Sequence, residues 1–371
     1  MCSFIVFTIL SFYSTLVLAS CQQHGAFCTQ HNQRSPHESD LSFSQRRICV
    51  IDDLFEEEAR SISSSLSLPI LSDDSNSLDF THVLRLVPFK SGDVSTYALA
   101  IESLLERRKQ SKGMKRPNQK NKSNSFYVDL CPEKGSRMGK RGAKESGADL
   151  LVKAVTPGKG YSSTNESDGG GGAIIYDLTA GFGQDSLVLA LNGASKVYMV
   201  ERDPIVAALL GDALRRVRII ASNAEESDQR KDFAMKLSKI LELKMEDGKD
   251  FVKSGMEFAS TGVLAADVVY LDPMFPPRTK SAAVKKGMSI LHGLLETQQI
   301  DPDSTNARLL EENKLLESAL EAAGVRVVVK RPSRAPPLGG ESSTRPSYSI
   351  KGSSNRWDVY VCHHQAQSNS Y

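Results

Sequence analysis

Asp272-Pro273-Met274-Phe275 closes an apolar run, Val268 to Leu271, and is followed by two more prolines and by Arg278, Lys280, Lys285 and Lys286. These residue types suit one kind of chemistry. An exocyclic amine on an aromatic base is a poor nucleophile, because its lone pair is delocalised into the ring. A carboxylate such as Asp272, with the backbone carbonyl of the Pro273 turn, can accept its N–H hydrogens. That orients the amine and stabilises the positive charge that develops as the nitrogen takes a new carbon. Pro273 fixes the turn and keeps the acceptors aimed. Phe275 can stack on a base lifted out of its helix. The cations that follow can hold phosphates. A plain strand end with a proline-rich turn explains any one of these residues, but not their combination with the loop described next.

That loop is YDLTAGFGQD, residues 176–185. Gly181 and Gly183 permit a tight turn and let the backbone approach a ligand. Glu201 ends the following apolar run, where a carboxylate can accept hydrogen bonds from both hydroxyls of a ribose. Dinucleotide-binding loops share these two features. Here Ser186 stands where their third glycine would be, and Asp177 puts negative charge near the loop. That charge would repel a pyrophosphate and suit a cationic methionine moiety, so S-adenosylmethionine is favoured over NAD. A helix-capping turn without a ligand would explain Asp177 and the glycines but not Glu201. Asp247 and Gly248 end a further run, where an acid or small residue can reach an adenine amino group; a simple strand-ending turn explains them equally well.

The elements that must position these groups are legible from residue 173 onward. Apolar runs at 173–178, 196–201, 241–247, 267–272 and 325–330 alternate with helix-length segments at 185–191, 204–216, 231–240 and 307–323. Short buried strands separated by helices predict a parallel sheet covered on both faces. Two last strands, 347–352 and 356–362, flank SSN and predict a hairpin on the sheet edge. Five parallel strands with a terminal hairpin form the α/β, Rossmann-like layout of class I S-adenosylmethionine-dependent methyltransferases. In such a sheet, ligands bind outside the carboxyl ends of the strands. Lys330, Arg331 and Arg334 fall at the end of the fifth strand and are expected to add RNA contacts to those of Lys285 and Lys286.

The rest of the chain divides by composition. Residues 48–130 predict a small α+β domain with strands at 46–52, 81–89 and 125–131 and a basic Lys/Asn/Ser-rich insertion. Residues 131–172 form a basic, glycine-rich connector with a helix near 149–155 and a flexible GGGG linker. The methyltransferase-like domain covers 173–362, and a polar tail covers 363–371. Residues 1–47 read as a targeting segment. Residues 4–20 are apolar and uncharged like a secretory h-region, and 22–47 are rich in Ser, Gln, His and Arg like a transit peptide. Together they predict import into a plastid, with mitochondrion or cytoplasm as the alternatives and no stable membrane association after processing.

The chain has 371 residues and a net charge of +2, so composition alone does not mark a nucleic-acid binder. Its six cysteines form no CxxC pair, which argues against a structural zinc site or a disulfide framework. No metal is expected.

Five stretches then carry a family likeness: DLTAGFGQDSLVLA, VERDPIVAALLGDAL, VVYLDPMFPPRTKSAAVKKGM, RVVVKRPSRAPPL and KGSSNRWDVY. They closely resemble the bacterial RsmJ family of small-subunit ribosomal RNA guanine-N2 methyltransferases, over roughly residues 125–361. The resemblance implies methyl transfer from S-adenosylmethionine to a guanine in small-subunit rRNA, free or in an assembling subunit. By position it implies cofactor contacts at Gln184, Asp185, Glu201, Arg202, Asp247, Gly248 and Asp272. Gln184 stands where the family usually carries Arg, and Asp247-Gly248 where it carries Ser-type residues. Segments near 103–123, 161–172 and 219–238 are additions to the bacterial pattern, expected on the surface. The residues by themselves also admit an adenine-N6 methyltransferase, or an RNA-binding assembly factor that kept the fold without its activity.

Overall fold

The computed structural model describes residues 48–51, 55–71, 80–104, 125–132, 149–156, 172–259, 266–273, 287, 290, 294, 302–339 and 344–362. Arg47–Tyr371 form one compact unit.

The larger sheet has seven strands. Five are parallel: β5 (Ala173–Asp177), β6 (Ala194–Val200), β7 (Leu241–Lys244), β8 (Ala266–Leu271) and β9 (Ala323–Pro332). The hairpin β10 (Tyr348–Lys351) and β11 (Asn355–Val361) completes it, β11 lying antiparallel to β9. The spatial order is β10-β11-β9-β8-β5-β6-β7. The chain runs outward from β5 to β7, then returns to lay β8 on the other side of β5. The β5/β8 boundary is thus the topological switch point, where an open α/β sheet leaves a crevice at its carboxyl edge.

The helices follow from their caps and apolar faces. Asp149 caps α2 (Leu150–Val155) by accepting from Leu151 N at 3.0 Å. The next helix, α3 (Gln184–Leu191), starts from a left-handed Gly183. Asp203 caps α4 (Pro204–Ser222), accepting from Ile205 N and Val206 N, and Pro204 presets the first turn. Three further helices, α5 (Asp228–Ile240), α6 (Gly248–Ala259) and α7 (Pro302–Ala322), complete the cover. Ile174, Val269, Leu271, Val327 and Val329 pack with Leu316 and Ala319 of α7 in one buried cluster. Burial of each of these Ile, Val and Leu side chains contributes about 1.5–3 kcal/mol, and this fixes the strand ends that carry the polar groups. Segment 219–238, expected as a surface addition, instead finishes α4 and forms most of α5, with Ala234 and Leu237 fully buried.

The N-terminal sheet has the order β2-β1-β3-β4, from β1 (Ile48–Ile51), β2 (Ile70–Leu71), β3 (His82–Ser91) and β4 (Val94–Ser103), with helix α1 (Glu56–Ser65) between β1 and β2. The strand expected at 125–131 is a single bridge, Phe126 to Ile101. Asp129 turns the chain directly afterwards by accepting from Cys131 N. Asp212 of α4 ties this sheet to the larger one. It accepts from Leu99 N at 2.8 Å and from Arg216 Nε at 2.9 Å, while Arg215 reaches Thr96 Oγ1 and Tyr97 O.

No helix among the described residues is long and apolar enough to cross a membrane, and none of their side chains forms a cluster able to hold a metal ion. Residues 1–47 lie outside the described residues.

Candidate active site

The glycine loop joins β5 to α3 across the switch point. Leu178 N donates to Tyr270 O on β8 (3.1 Å), and Ala180 N donates to Val200 O on β6 (3.0 Å), so the loop is pinned to both neighbouring strands. Gly181 and Gly183 hold φ of 54° and 68°. A Cβ on Gly183 would lie 2.8 Å from Leu210 Cδ1, which would have to shift, and the left-handed backbone itself favours glycine there.

Glu201 follows β6 and faces this loop. Its Oε2 accepts from Gly181 N and its Oε1 from Asp203 N, each at 2.8 Å. Burial pushes its carboxyl above the usual range against the pull of these two bonds. Each carboxylate oxygen has a second lone pair, so the group keeps capacity for a ribose hydroxyl while tying the loop to the head of α4. Asp247 sits at the start of α6, accepting from Lys249 N at 2.9 Å, and Arg202 lies 3.6 Å from it. Gly248 is packed against Leu178 and Leu315. Gln184 and Asp185 open α3.

Asp177 departs from its expected part. It is buried beneath the loop, not beside an open site. Ser186 Oγ donates to its Oδ2 (2.5 Å) and Thr179 N to its Oδ1 (3.3 Å). Burial is the largest of the influences that push its carboxyl up to about 7. Ser186, seen in the sequence only as a missing glycine, braces this acid.

Asp272 stands at the carboxyl end of β8, with its N–H donated to Thr179 Oγ1 at 2.6 Å. Pro273 beside it is buried. Phe275, Lys285 and Lys286 lie outside the described residues. Lys330 requires a correction. It is not a phosphate-facing cation: its Nζ bridges Asp185 Oδ2 (2.6 Å) and Asp272 Oδ2 (2.7 Å). Burial works against this ammonium, but the two carboxylates outweigh it and hold the amine's pKa above the ordinary lysine value. Tyr270 OH also donates to Asp185 Oδ2, at 2.8 Å. Arg331 is corrected likewise. It points to the opposite face of β9, where it is 2% exposed and bound to Glu312 Oε2 and Pro336 O. Arg334 alone of these three is exposed.

Five carboxylates thus line or underlie the strand ends: Asp177, Asp185, Glu201, Asp247 and Asp272. Among the described residues, Lys330 is a cation at this edge, and it is held by two of these carboxylates. Such a donor set suits a cationic ligand without phosphate. The glycine loop, Glu201 and Asp247-Gly248 together could hold S-adenosylmethionine.

Comparison with known proteins agrees with this chemistry. Residues 102–362 match the model of the family described as "Putative SAM-dependent methyltransferase". Among curated proteins, the Ribosomal RNA small subunit methyltransferase J of Cellvibrio japonicus is 35% identical over 214 residues, covering 57% of this chain and 66% of that protein. The protein of the same name from Colwellia psychrerythraea is 41% identical over 187 residues, 50% of this chain and 56% of that protein. The chain therefore spans between 56% and 66% of the length of these relatives. A SAM-dependent methyltransferase of known structure from Neisseria gonorrhoeae aligns with a TM-score of 0.51 at 24% identity, covering 87% of this chain and 99% of that one. That likeness concerns the fold.

Proposed function

The chain belongs to the SAM-dependent methyltransferase family, and from that premise we propose that it methylates the N2 amine of a guanine in small-subunit ribosomal RNA. The observation that carries this reading is the placement of Asp272-Pro273 at the carboxyl end of β8, directly across the switch point from the glycine loop. The names of the relatives support an rRNA substrate.

When bound, S-adenosylmethionine supplies an electrophilic methyl group on a sulfonium. The chain's own residues do the rest. The glycine loop and Glu201 hold the donor, with the loop kept in shape by bonds to both neighbouring strands. Asp272 and the Pro273 carbonyl accept the N–H hydrogens of the target amine, orient its lone pair, and stabilise the charge that develops on nitrogen. Arg334 contacts phosphates, and by their charge in the sequence so do Lys285 and Lys286. We also place the reaction in a plastid, on the composition of residues 4–47; a fluorescent fusion of the full chain that stays cytosolic would remove that assignment.

Nucleoside analysis of small-subunit rRNA from cells lacking the protein tests the function. Loss of one N2-methylguanosine is expected, restored by the purified protein with S-adenosylmethionine. Loss of an N6-methyladenosine instead would keep the enzyme and change the base. Unchanged modification would remove the reading.

A further inference from the structure

The ammonium of Lys330 is held inside the site rather than offered to solvent. Exposure rises along the bridge: the side chain of Asp185 is 11% exposed, that of Lys330 18% and that of Asp272 35%. The anchored end is inside and the open end is Asp272. Asp185 is itself fixed by Tyr270 OH, on a ring that is fully buried in β8. Asp272 is also fixed through its backbone by Thr179 Oγ1. The carboxylate that faces the opening is therefore braced from the loop, from α3 and from β9.

We propose that Lys330 is a positioning residue for methyl transfer: shared between Asp185 and Asp272, it sets the orientation in which the Asp272 carboxylate meets the target amine. The proposal rests on the part assigned to Asp272 above.

Charge explains why the device needs two acids. A lysine paired with Asp272 alone would cancel the negative charge that stabilises the developing cation on nitrogen. With Asp185 included, the trio carries a net charge of −1, as a lone carboxylate would, but in a fixed geometry. Removing the ammonium has the opposite fault. Asp185 and Asp272 would then face each other as like charges in a partly covered site, which favours protonation of one of them. Among the described residues, the groups that face this cluster are Asp177 from β5, Asp185 from α3, Tyr270 from β8, Asp272 just after it, and Lys330 from β9. Trp357, the cross-strand partner of Lys330 on β11, is uncharged. A phosphate contact would compete poorly, because it would pull the ammonium from two acids already within 2.7 Å.

The test compares Lys330→Met and Lys330→Arg with wild type, in the full chain, under single-turnover conditions with saturating S-adenosylmethionine and small-subunit rRNA. Lys330→Met should lower the rate about tenfold to a hundredfold, the scale of a misaligned reacting group. The acid limb of its rate–pH profile should move to higher pH. Lys330→Arg should recover much of the rate and return the limb toward wild type. RNA affinity and its salt dependence should be unchanged in both, since the ammonium is not on phosphate. If Lys330→Met does not fold, Asp185→Ala, which removes the acceptor at the anchored end, should show the same rate loss with unchanged RNA binding. A wild-type rate and pH limb in Lys330→Met, or a reduced salt slope, would overturn the proposal. Failure of the wild-type protein to methylate rRNA would instead remove the functional reading beneath it.

Discussion

The ring of Phe126 lies 5.0 Å from that of Phe182, centroid to centroid, at an interplanar angle of 46°. Phe182 sits between the two glycines of the loop. Phe126 is the residue whose backbone pairs with Ile101 of β4, N–H to carbonyl in both directions. The N-terminal sheet therefore touches the loop through one aromatic pair. A Cβ at Gly287 would come within 2.8 Å of the same Phe126 ring, so Gly287 lies against it too. Such a pair contributes about 0.5–1.5 kcal/mol beyond its buried area. Phe126→Leu should weaken S-adenosylmethionine binding about twofold to tenfold in calorimetry. Unchanged affinity would mean that the loop is ordered without the N-terminal sheet.

Glu201 has a structural duty as well as a place for ribose. Its two bonds, to Gly181 N and Asp203 N, join the loop to the cap of α4. Glu201→Ala should lower the stability of the ligand-free protein by about 1–3 kcal/mol in urea denaturation, because two backbone donors lose their acceptor. Cofactor affinity should fall in the same variant. Full stability with lost affinity would confine Glu201 to ligand contact.

Asp177 gives a pH prediction. Its carboxyl titrates at about 7 in the fold, against about 3.9 in an unfolded chain. The folded state binds the proton more tightly. The stabilisation this provides is complete below the unfolded value and is lost as the pH rises through about 7. Asp177→Asn keeps an acceptor for Ser186 and cannot ionise. The stability of the variant relative to wild type should therefore grow between pH 4 and pH 8, by roughly 4 kcal/mol at most. A difference that stays flat across that window in thermal melts would contradict the burial argument.

The alternation of apolar runs with helix-length segments made the large sheet readable, because the central strands β5 and β8 are buried along almost their whole length and end in or are followed by polar residues at the site. The N-terminal sheet was harder. Tyr97-Ala-Leu-Ala-Ile101 carries two alanines and leads into Leu104, a composition that favours helix, yet ten residues of antiparallel pairing with β3 make it β4. The charges of Lys330 and Arg331 were visible, but their partners were not. Adjacent residues on a strand point to opposite faces, so one reaches Asp185 on α3 and the other Glu312 on α7. Both partners are distant in sequence, and no local pattern names them.

Arg331 and Arg334 should separate cleanly for this reason. Arg331→Met leaves Glu312 buried with its remaining partner, Arg308 Nε at 3.3 Å. Breaking a buried pair costs about 3–5 kcal/mol, an upper bound here because Arg308 persists. Arg334→Ala should leave stability unchanged and lower the salt slope of RNA binding by about one. Equal effects of the two substitutions on RNA binding would show that Arg331 leaves Glu312 to reach the substrate.

Asp272 carries the sharpest prediction. If it accepts a hydrogen bond from the target amine, Asp272→Ala should lower the single-turnover rate about a hundredfold to a thousandfold, the usual effect of removing one preorganised group that stabilises developing charge. Asp272→Asn keeps an acceptor oxygen and should retain more activity than the alanine variant. It does lose half of the Lys330 bridge, so it should still fall short of wild type. Its remaining neighbours, Lys330 and Asp185, would then carry no net charge, and less of the cation developing on nitrogen would be offset. The backbone bond from Asp272 N to Thr179 Oγ1 survives both substitutions, so loop geometry and folding should be little affected. The order wild type, Asn, Ala in rate at saturating cofactor, with closely similar melting temperatures, is the expected result. An alanine variant that methylates rRNA at the wild-type rate would leave Asp272 as a turn residue that happens to end a strand beside the cofactor loop.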